Sequence, residues 1–263
     1  VTVNEQTRRP IGSTTLAVKV PQVTALFWII KVLTTGMGET ASDFLARTIA
    51  PEIAVGVAGL VLAGALLAQM RARAYSTGLY WFAVVMVSVF GTMAADVLHV
   101  GLGIPYTIST TFFAVALVVV LGFWYVSERT LSIHTVTRGR PEFFYWATVL
   151  VTFALGTAAG DLTATTFGWG YLVSGFVFAA AIVVPALAFR ARWMNAVAAF
   201  WTAYVITRPL GASFADWMGV SVARGGLGWG TGPVTVAWAA VIVALIAYLA
   251  VRRDDAPEPI RPA

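Results

Sequence analysis

Apolar residues run through this chain in blocks about 20 long, interrupted by short clusters of Gly, Pro and charged residues. A helix rises 1.5 Å per residue, so about 20 apolar residues cross the hydrocarbon core of a bilayer. The pattern predicts eight spanning helices, at roughly 22–46, 51–70, 78–100, 105–127, 143–164, 170–189, 194–218 and 232–251. Pro51, Pro105 and Pro233 open the second, fourth and eighth of them. There the missing N–H of proline does no harm.

The odd-numbered spans line up on tryptophan. They read FWIIKVLTTGMGETASD (27–43), YWFAVVMVSVFGTMAAD (80–96), YWATVLVTFALGTAAGD (145–161) and FWTAYVITRPLGASFAD (200–216). Each copy begins with an aromatic residue and Trp, with Gly ten and Asp fifteen positions after the Trp. The residues are Trp28, Gly38 and Asp43; Trp81, Gly91 and Asp96; Trp146, Gly156 and Asp161; Trp201, Gly211 and Asp216. Each unit holds two spans, so all four copies enter the membrane in the same direction. They are parallel repeats about an axis along the membrane normal, in contrast to inverted-topology transporters. Four hairpins around one pseudo-fourfold axis and two pseudo-twofold halves both fit this pattern.

The fold class expected is an all-α integral membrane protein: eight transmembrane helices as four parallel helical-hairpin repeats, with N and C termini cytoplasmic. The repeats lie at about 22–73, 78–128, 143–192 and 194–252, within one membrane domain at 22–252. Residues 1–21 and 253–263 read as cytoplasmic tails, the first without the apolar core and cleavage site of a signal peptide. With its aromatic-Trp repeat and two spans per copy, the chain resembles bacterial multi-pass membrane proteins built from four tandem copies of a repeat of unknown function. Such proteins are described only as uncharacterised membrane-anchored proteins. The resemblance implies the fold and a bacterial cytoplasmic (inner) membrane location, and it implies no activity, substrate or catalytic residue.

Composition agrees. Of 263 residues 59% are hydrophobic and 11% charged, against about 25% charged in soluble domains. No cysteine is present, which removes disulfides and thiolate metal sites. The net charge of +5 follows the membrane flanks. Arg8, Arg9, Lys19, Arg71, Arg73, Arg129, Arg138, Arg140, Arg190, Arg192, Arg252, Arg253 and Arg261 fall on one side, while Arg47 and Arg224 fall on the other. The positive-inside rule makes the first side cytoplasmic. Scattered in this way, the basic residues do not describe a nucleic-acid surface.

The odd spans also carry charge at membrane depth, which is expensive facing lipid. Steps of four residues stay on one helix face. Counting back from each Asp gives Lys31, Thr35, Glu39 and Asp43 in the first repeat and Val84, Ser88, Thr92 and Asp96 in the second, with His99 beyond. The third gives Val149, Phe153, Thr157 and Asp161, and the fourth gives Tyr204, Arg208, Ala212 and Asp216. Trp and Asp are separated by about 22 Å along the helix. With each Trp at the inner interface, each Asp lies in the outer third of the bilayer. The even spans, such as VGVAGLVLAGALLA (55–68) and WAAVIVALIAYLAV (238–251), hold no ionisable side chain and are expected to face lipid. Gly56, Gly59 and Gly64, like the repeat Gly, are read as points of close helix approach.

Five acids (Glu39, Asp43, Asp96, Asp161, Asp216) thus face two bases (Lys31, Arg208) within the spans. Repeat depth allows an Arg208–Glu39 pair, and an excess of acids remains even with Lys31 paired. Carboxylates held from water bind a cation, share protons or become protonated. Oxygen donors from Asp, Glu, Thr and Ser suit hard cations. The plainer alternative makes each Asp a helix terminator that caps the next span. Trp28, Trp81, Trp146 and Trp201 are expected to anchor the inner interface. The stretch RGGLGWGTGP (224–233) lacks the Lys-Ser/Thr ending of a phosphate loop, and His134 belongs to a solvated loop.

The functional expectation is a membrane transporter or channel for a small cation, most specifically a divalent metal ion with or without proton coupling. The metal or proton sites would be Glu39, Asp43, Asp96, Asp161 and Asp216. Lys31, Thr35, Ser88, Thr92, His99, Thr157 and Arg208 would form the supporting polar stripe. No catalytic residue and no covalent cofactor is expected, and the partners are the bilayer and the transported cation, with no nucleic acid. Rival readings are an organic-anion carrier using Arg208 and Lys31, an intramembrane enzyme, and a structural membrane protein.

Overall fold

The computed structural model describes residues 17–257, and all regular structure among them is helical. The first repeat forms α1 (Ala25–Thr48) and α2 (Pro51–Arg71), and the second forms α3 (Thr77–Asp96) and α4 (Tyr106–Glu128). The third gives α5 (Arg140–Asp161), α6 (Gly170–Ala181) and α7 (Val183–Arg190), and the fourth gives α8 (Ala196–Gly219) and α9 (Thr231–Arg252). Side chains cap two inner helices. Thr24 accepts from the Phe27 N–H at 3.3 Å, and Asn195 from the Ala198 N–H at 2.8 Å. The span expected at 170–189 is present as one apolar stretch, Gly170–Arg190, whose helix is interrupted at Ile182 because Pro185 has no N–H for the bond back to residue 181. Among the described residues six helical stretches are long and apolar enough to cross a membrane; α1 and α8, with 24 residues each, carry Lys31, Glu39 and Asp43, and Arg208 and Asp216, along their length.

Four helices make an inner ring in the order α1, α3, α5, α8 and back to α1. The two diagonal pairs meet through long central side chains, such as Lys31 over the Phe153 ring and Arg208 against Thr92. The outer helices do not pack mainly on their own hairpin partners. Each covers the inner helix of the following repeat: α2 lies on α3, α4 on α5, α6 on α8 and α9 on α1. The fourth repeat therefore closes onto the first, and the chain adopts the single pseudo-fourfold arrangement. The outer helices are mostly exposed, in keeping with their uniformly apolar sequences.

The repeat glycines explain the close packing of the ring. A Cβ on Gly38 would overlap Ser88, on Gly91 would meet the Phe153 Cβ at 2.8 Å, on Gly156 would overlap Arg208, and on Gly211 would overlap Thr35. Each contact is with the residue eight positions before the Asp of the next repeat, so one spacing is used four times around the ring. The same reading fails for Gly56 and Gly64, whose added Cβ would meet nothing within 4 Å, while Gly59 lies against the Phe90 ring.

The aromatic-Trp dipeptides close the ring at one end. Ring centroids of Phe27 and Trp81 are 5.6 Å apart, Tyr80 and Trp146 5.5 Å, Tyr145 and Trp201 6.2 Å, and Phe200 and Trp28 5.6 Å. The expectation that these tryptophans anchor the interface is corrected for Trp81, Trp146 and Trp201, which are buried within the protein. Only Trp28 is half-exposed. Indoles at these positions fill the gap between neighbouring inner helices, where large aromatic area stabilises packing most.

The segments flanking the membrane domain are docked at this same end. Lys19 is buried, pairs with Glu142 at 2.7 Å and donates to the Gln69 carbonyl. Buried Asp255 accepts from Tyr75 and Thr77. Residues 17–21 and 253–257 are therefore part of the folded body. The remainder of the expected tails, with Arg8, Arg9 and Arg261, lies outside the described residues.

Candidate functional site

Above the aromatic layer the ring interior is built in tiers four residues apart. The first tier holds Lys31, Val84, Val149 and Tyr204, all buried. The Lys31 Nζ stands 4.0 Å from the centroid of Phe153 and 4.3 Å from that of Tyr204, with no hydrogen-bond partner among the described residues. Two aromatic faces stabilise a cation without supplying an acceptor. Lys31 is therefore sealed inside the protein.

The next tier binds the four repeats together. Arg208 is 0% exposed. Its Nη2 lies 2.6 Å from the Glu39 Oε2 and 2.6 Å from the Thr157 Oγ1, and it also donates to the Thr92 Oγ1. Nη1 donates to the Thr35 carbonyl at 3.0 Å. One guanidinium thus contacts α1, α3 and α5 from α8, and the expected Arg208–Glu39 pair is present. Thr35 and Ser88 serve the ring itself: their hydroxyls donate to the carbonyls of Thr207 at 3.1 Å and Thr34 at 2.8 Å. Neither opens to the cavity above.

That cavity, of about 540 Å³, occupies the end opposite the aromatic layer. Its walls include all five expected acids, Glu39, Asp43, Asp96, Asp161 and Asp216, so carboxylates from every repeat converge on one space. They are not equivalent. Asp43 pairs with Arg47 at 2.6 Å on its own helix, Glu39 is held by Arg208, and Asp96 receives a long 3.5 Å bond from Ser42. Asp161 and Asp216 have no side-chain hydrogen bond or ion pair among the described residues, although Asp216 is only 7% exposed. The plainer reading of these acids as helix caps does not hold. α1 and α8 continue past Asp43 and Asp216, and Asp96 and Asp161 cap nothing with their side chains.

Immediately after Asp96 and Asp161 the backbone widens into single π turns, Val97–Gly101 and Leu162–Thr166. Such turns are frequent where a helix borders a functional site. The first buries His99, whose Nδ1 is 3.1 Å from the Ser109 hydroxyl and whose ring stacks on Tyr106 at 4.3 Å. His99 therefore reaches the cavity only through Tyr106, which lines it.

Three charged wall residues were not among the expected site residues. Glu52 opens α2, Arg47 ends α1, and Arg224 comes from the loop that includes the glycine-rich stretch. That loop folds back on the end of α8 through Leu227 N–H to the Trp217 carbonyl (2.7 Å) and Gly228 N–H to the Val220 carbonyl (2.9 Å). It places the Arg224 Nη2 2.8 Å from the Tyr171 hydroxyl. Positive φ at Gly225, Gly228 and Gly230 is what such a return requires. The wall then holds six acids, Glu39, Asp43, Glu52, Asp96, Asp161 and Asp216, against Arg47 and Arg224.

The expected metal-ligand set is not assembled. Among the described residues no three His, Cys, Asp or Glu side chains come together in a group that could hold a metal ion. Glu39, Asp43, Asp96, Asp161 and Asp216 are instead spread around the cavity wall.

A family model described as Repeat of Unknown Function (DUF347) matches the chain four times, at residues 26–75, 79–130, 144–192 and 199–254. No curated protein and no solved structure matches it. Four matches that cover most of the sequence, one on each hairpin of the ring, mean that the chain belongs to the DUF347 repeat family.

Proposed function

We propose that this protein is a cytoplasmic-membrane carrier for a small cation, crossing the bilayer eight times with both termini in the cytoplasm. The observation that carries the reading is the convergence of carboxylates from all four repeats on one cavity, floored by the Arg208–Glu39 pair. Six acids against two arginines make a space that concentrates cations and repels anions. Anion binding at Arg208 is disfavoured because the guanidinium is already engaged by Glu39, Thr92, Thr157 and the Thr35 carbonyl.

Beneath the floor, Lys31 and the aromatic layer fill the ring, so the cavity opens to one side only. A closed path of this kind fits alternating access rather than a continuous pore. On this reading the cavity faces outward, and passage requires the Arg208–Glu39 contact to separate.

The test is flux of a cation panel into proteoliposomes with lumenal pH followed in parallel, comparing wild type with Asp161→Asn and Asp216→Asn. Flux of one cation that both variants lose while remaining folded supports the carrier. Absence of flux for every cation, with variants indistinguishable from wild type, sinks it.

A further inference from the structure

The cavity has features that a bare metal ion would not use. Hard divalent ions need oxygen donors drawn in to about 2.0–2.6 Å around one point, and these carboxylates surround a volume of about 540 Å³ without forming such a group. That volume falls in the range of small organic-ligand sites. Between the acids the wall is aliphatic, with Ala54, Val55, Met93, Val97 and Val220 among its residues. Separated anionic points joined by apolar wall are the complement of separated cationic points joined by methylenes.

Two of those points are available for a ligand. Asp161 on α5 and Asp216 on α8 occupy the same repeat position on adjacent inner helices, and neither has a protein partner among the described residues. Asp216 is more than nine-tenths buried, and its exposed remainder faces the cavity. A buried carboxylate left without a donor is costly unless something brings one. Asp96, with only the long Ser42 contact, is a third point on the neighbouring helix, and Glu52 lies at the mouth.

Resting on the cation-carrier reading above, we propose that the substrate is a flexible organic amine carrying two or more ammonium groups separated by methylenes. One ammonium is held by Asp161 and Asp216 and another by Asp96 or Glu52, with the methylenes on the aliphatic wall. Each ammonium brings three N–H donors, which matches carboxylates that have spare acceptor capacity. The two arginines, each engaged with Asp43 or Tyr171, trim the charge of the rim and leave the inner acids free.

The test is binding of radiolabelled 1,4-diaminobutane to the full chain in nanodiscs, with a triamine, butylamine, Mg²⁺ and Mn²⁺ as competitors. The expected result is saturable binding displaced by the triamine, and at least tenfold less well by butylamine or either metal. Asp161→Asn and Asp216→Asn should each weaken it about tenfold or more, and Asp216→Glu should weaken it less than Asp216→Asn. Should an Asn variant not fold, the wild-type protein alone decides: the diamine should raise its melting temperature and butylamine should not. Saturable Mn²⁺ or Mg²⁺ binding lost in Asp216→Asn, with no diamine binding, overturns the amine inference and leaves the cation carrier standing. Binding of neither class overturns the amine inference, and the carrier reading is then decided by the flux panel above. Diamine binding unchanged in folded Asn variants overturns the assignment of these residues.

Discussion

Glu39 and Arg208 meet at 2.6 Å in the centre of the ring, yet they do not occupy equivalent repeat positions. Glu39 stands four residues before its repeat Asp and Arg208 eight before its own. The fourfold pattern of side chains is broken at both of these tiers, as it is at that of Lys31. Thr92 and Thr157 keep the Glu39 position as hydroxyls that Arg208 also uses. A symmetric backbone therefore surrounds an asymmetric charge arrangement, which suits a device with two states better than an open pore.

Breaking this pair one partner at a time should be severe. Glu39→Leu leaves a buried guanidinium without its counter-charge, and a loss of about 3–5 kcal/mol is expected. Replacing both, Glu39→Leu with Arg208→Met, should lose less than the sum of the single changes. Thermal unfolding of the four proteins in one detergent checks this, and strictly additive losses would refute a coupled pair.

Lys31 should behave oppositely. It has aromatic faces around it and no acceptor. Lys31→Met keeps the volume and removes a buried polar group, so the melting temperature should stay level or rise. A loss of proton-coupled flux in that stable variant would assign Lys31 a role in coupling. A large fall in melting temperature would instead make its contact with Phe153 and Tyr204 a structural necessity.

Glycine substitutions should separate by repeat position. Gly156→Ala and Gly211→Ala force a methyl into Arg208 and Thr35 of the next helix, at an expected cost of about 1–3 kcal/mol or more. Gly56→Ala and Gly64→Ala meet open space and should stabilise α2 by up to about 1 kcal/mol through helix propensity. Melting curves of the four single variants decide; equal effects at all four sites would mean that the ring contacts are not limiting.

The tryptophans offer a test independent of function. Trp81→Ala removes a fully buried indole and should cost about 3–5 kcal/mol. Trp193, 87% exposed, should tolerate the same change nearly without effect. In single-Trp variants, brominated lipids should quench Trp193 and spare Trp81. Strong quenching of Trp81 would return it to the interface.

Much of this protein is written in residue spacing. The Trp, Gly and Asp intervals set four helical hairpins and put Glu39 and Arg208 at depths where they can meet, because spacing along one helix determines both face and height. Spacing says nothing about which neighbour a face meets. Only the tertiary structure decided that each outer helix covers the next repeat, that α9 closes on α1, and that each glycine receives the following helix. For the same reason the Trp81, Trp146 and Trp201 side chains turned inward although their depth alone suits an interface, and Lys31 came to rest between two rings contributed by α5 and α8. Arg224 was hidden in a loop whose place over the cavity depends on backbone bonds to the end of α8. The sequence by itself determined the repeated unit and its polar stripe. Closure of the ring, a long-range packing event, decided which of those polar groups are satisfied within the protein and which, like Asp161 and Asp216, are left facing a cavity.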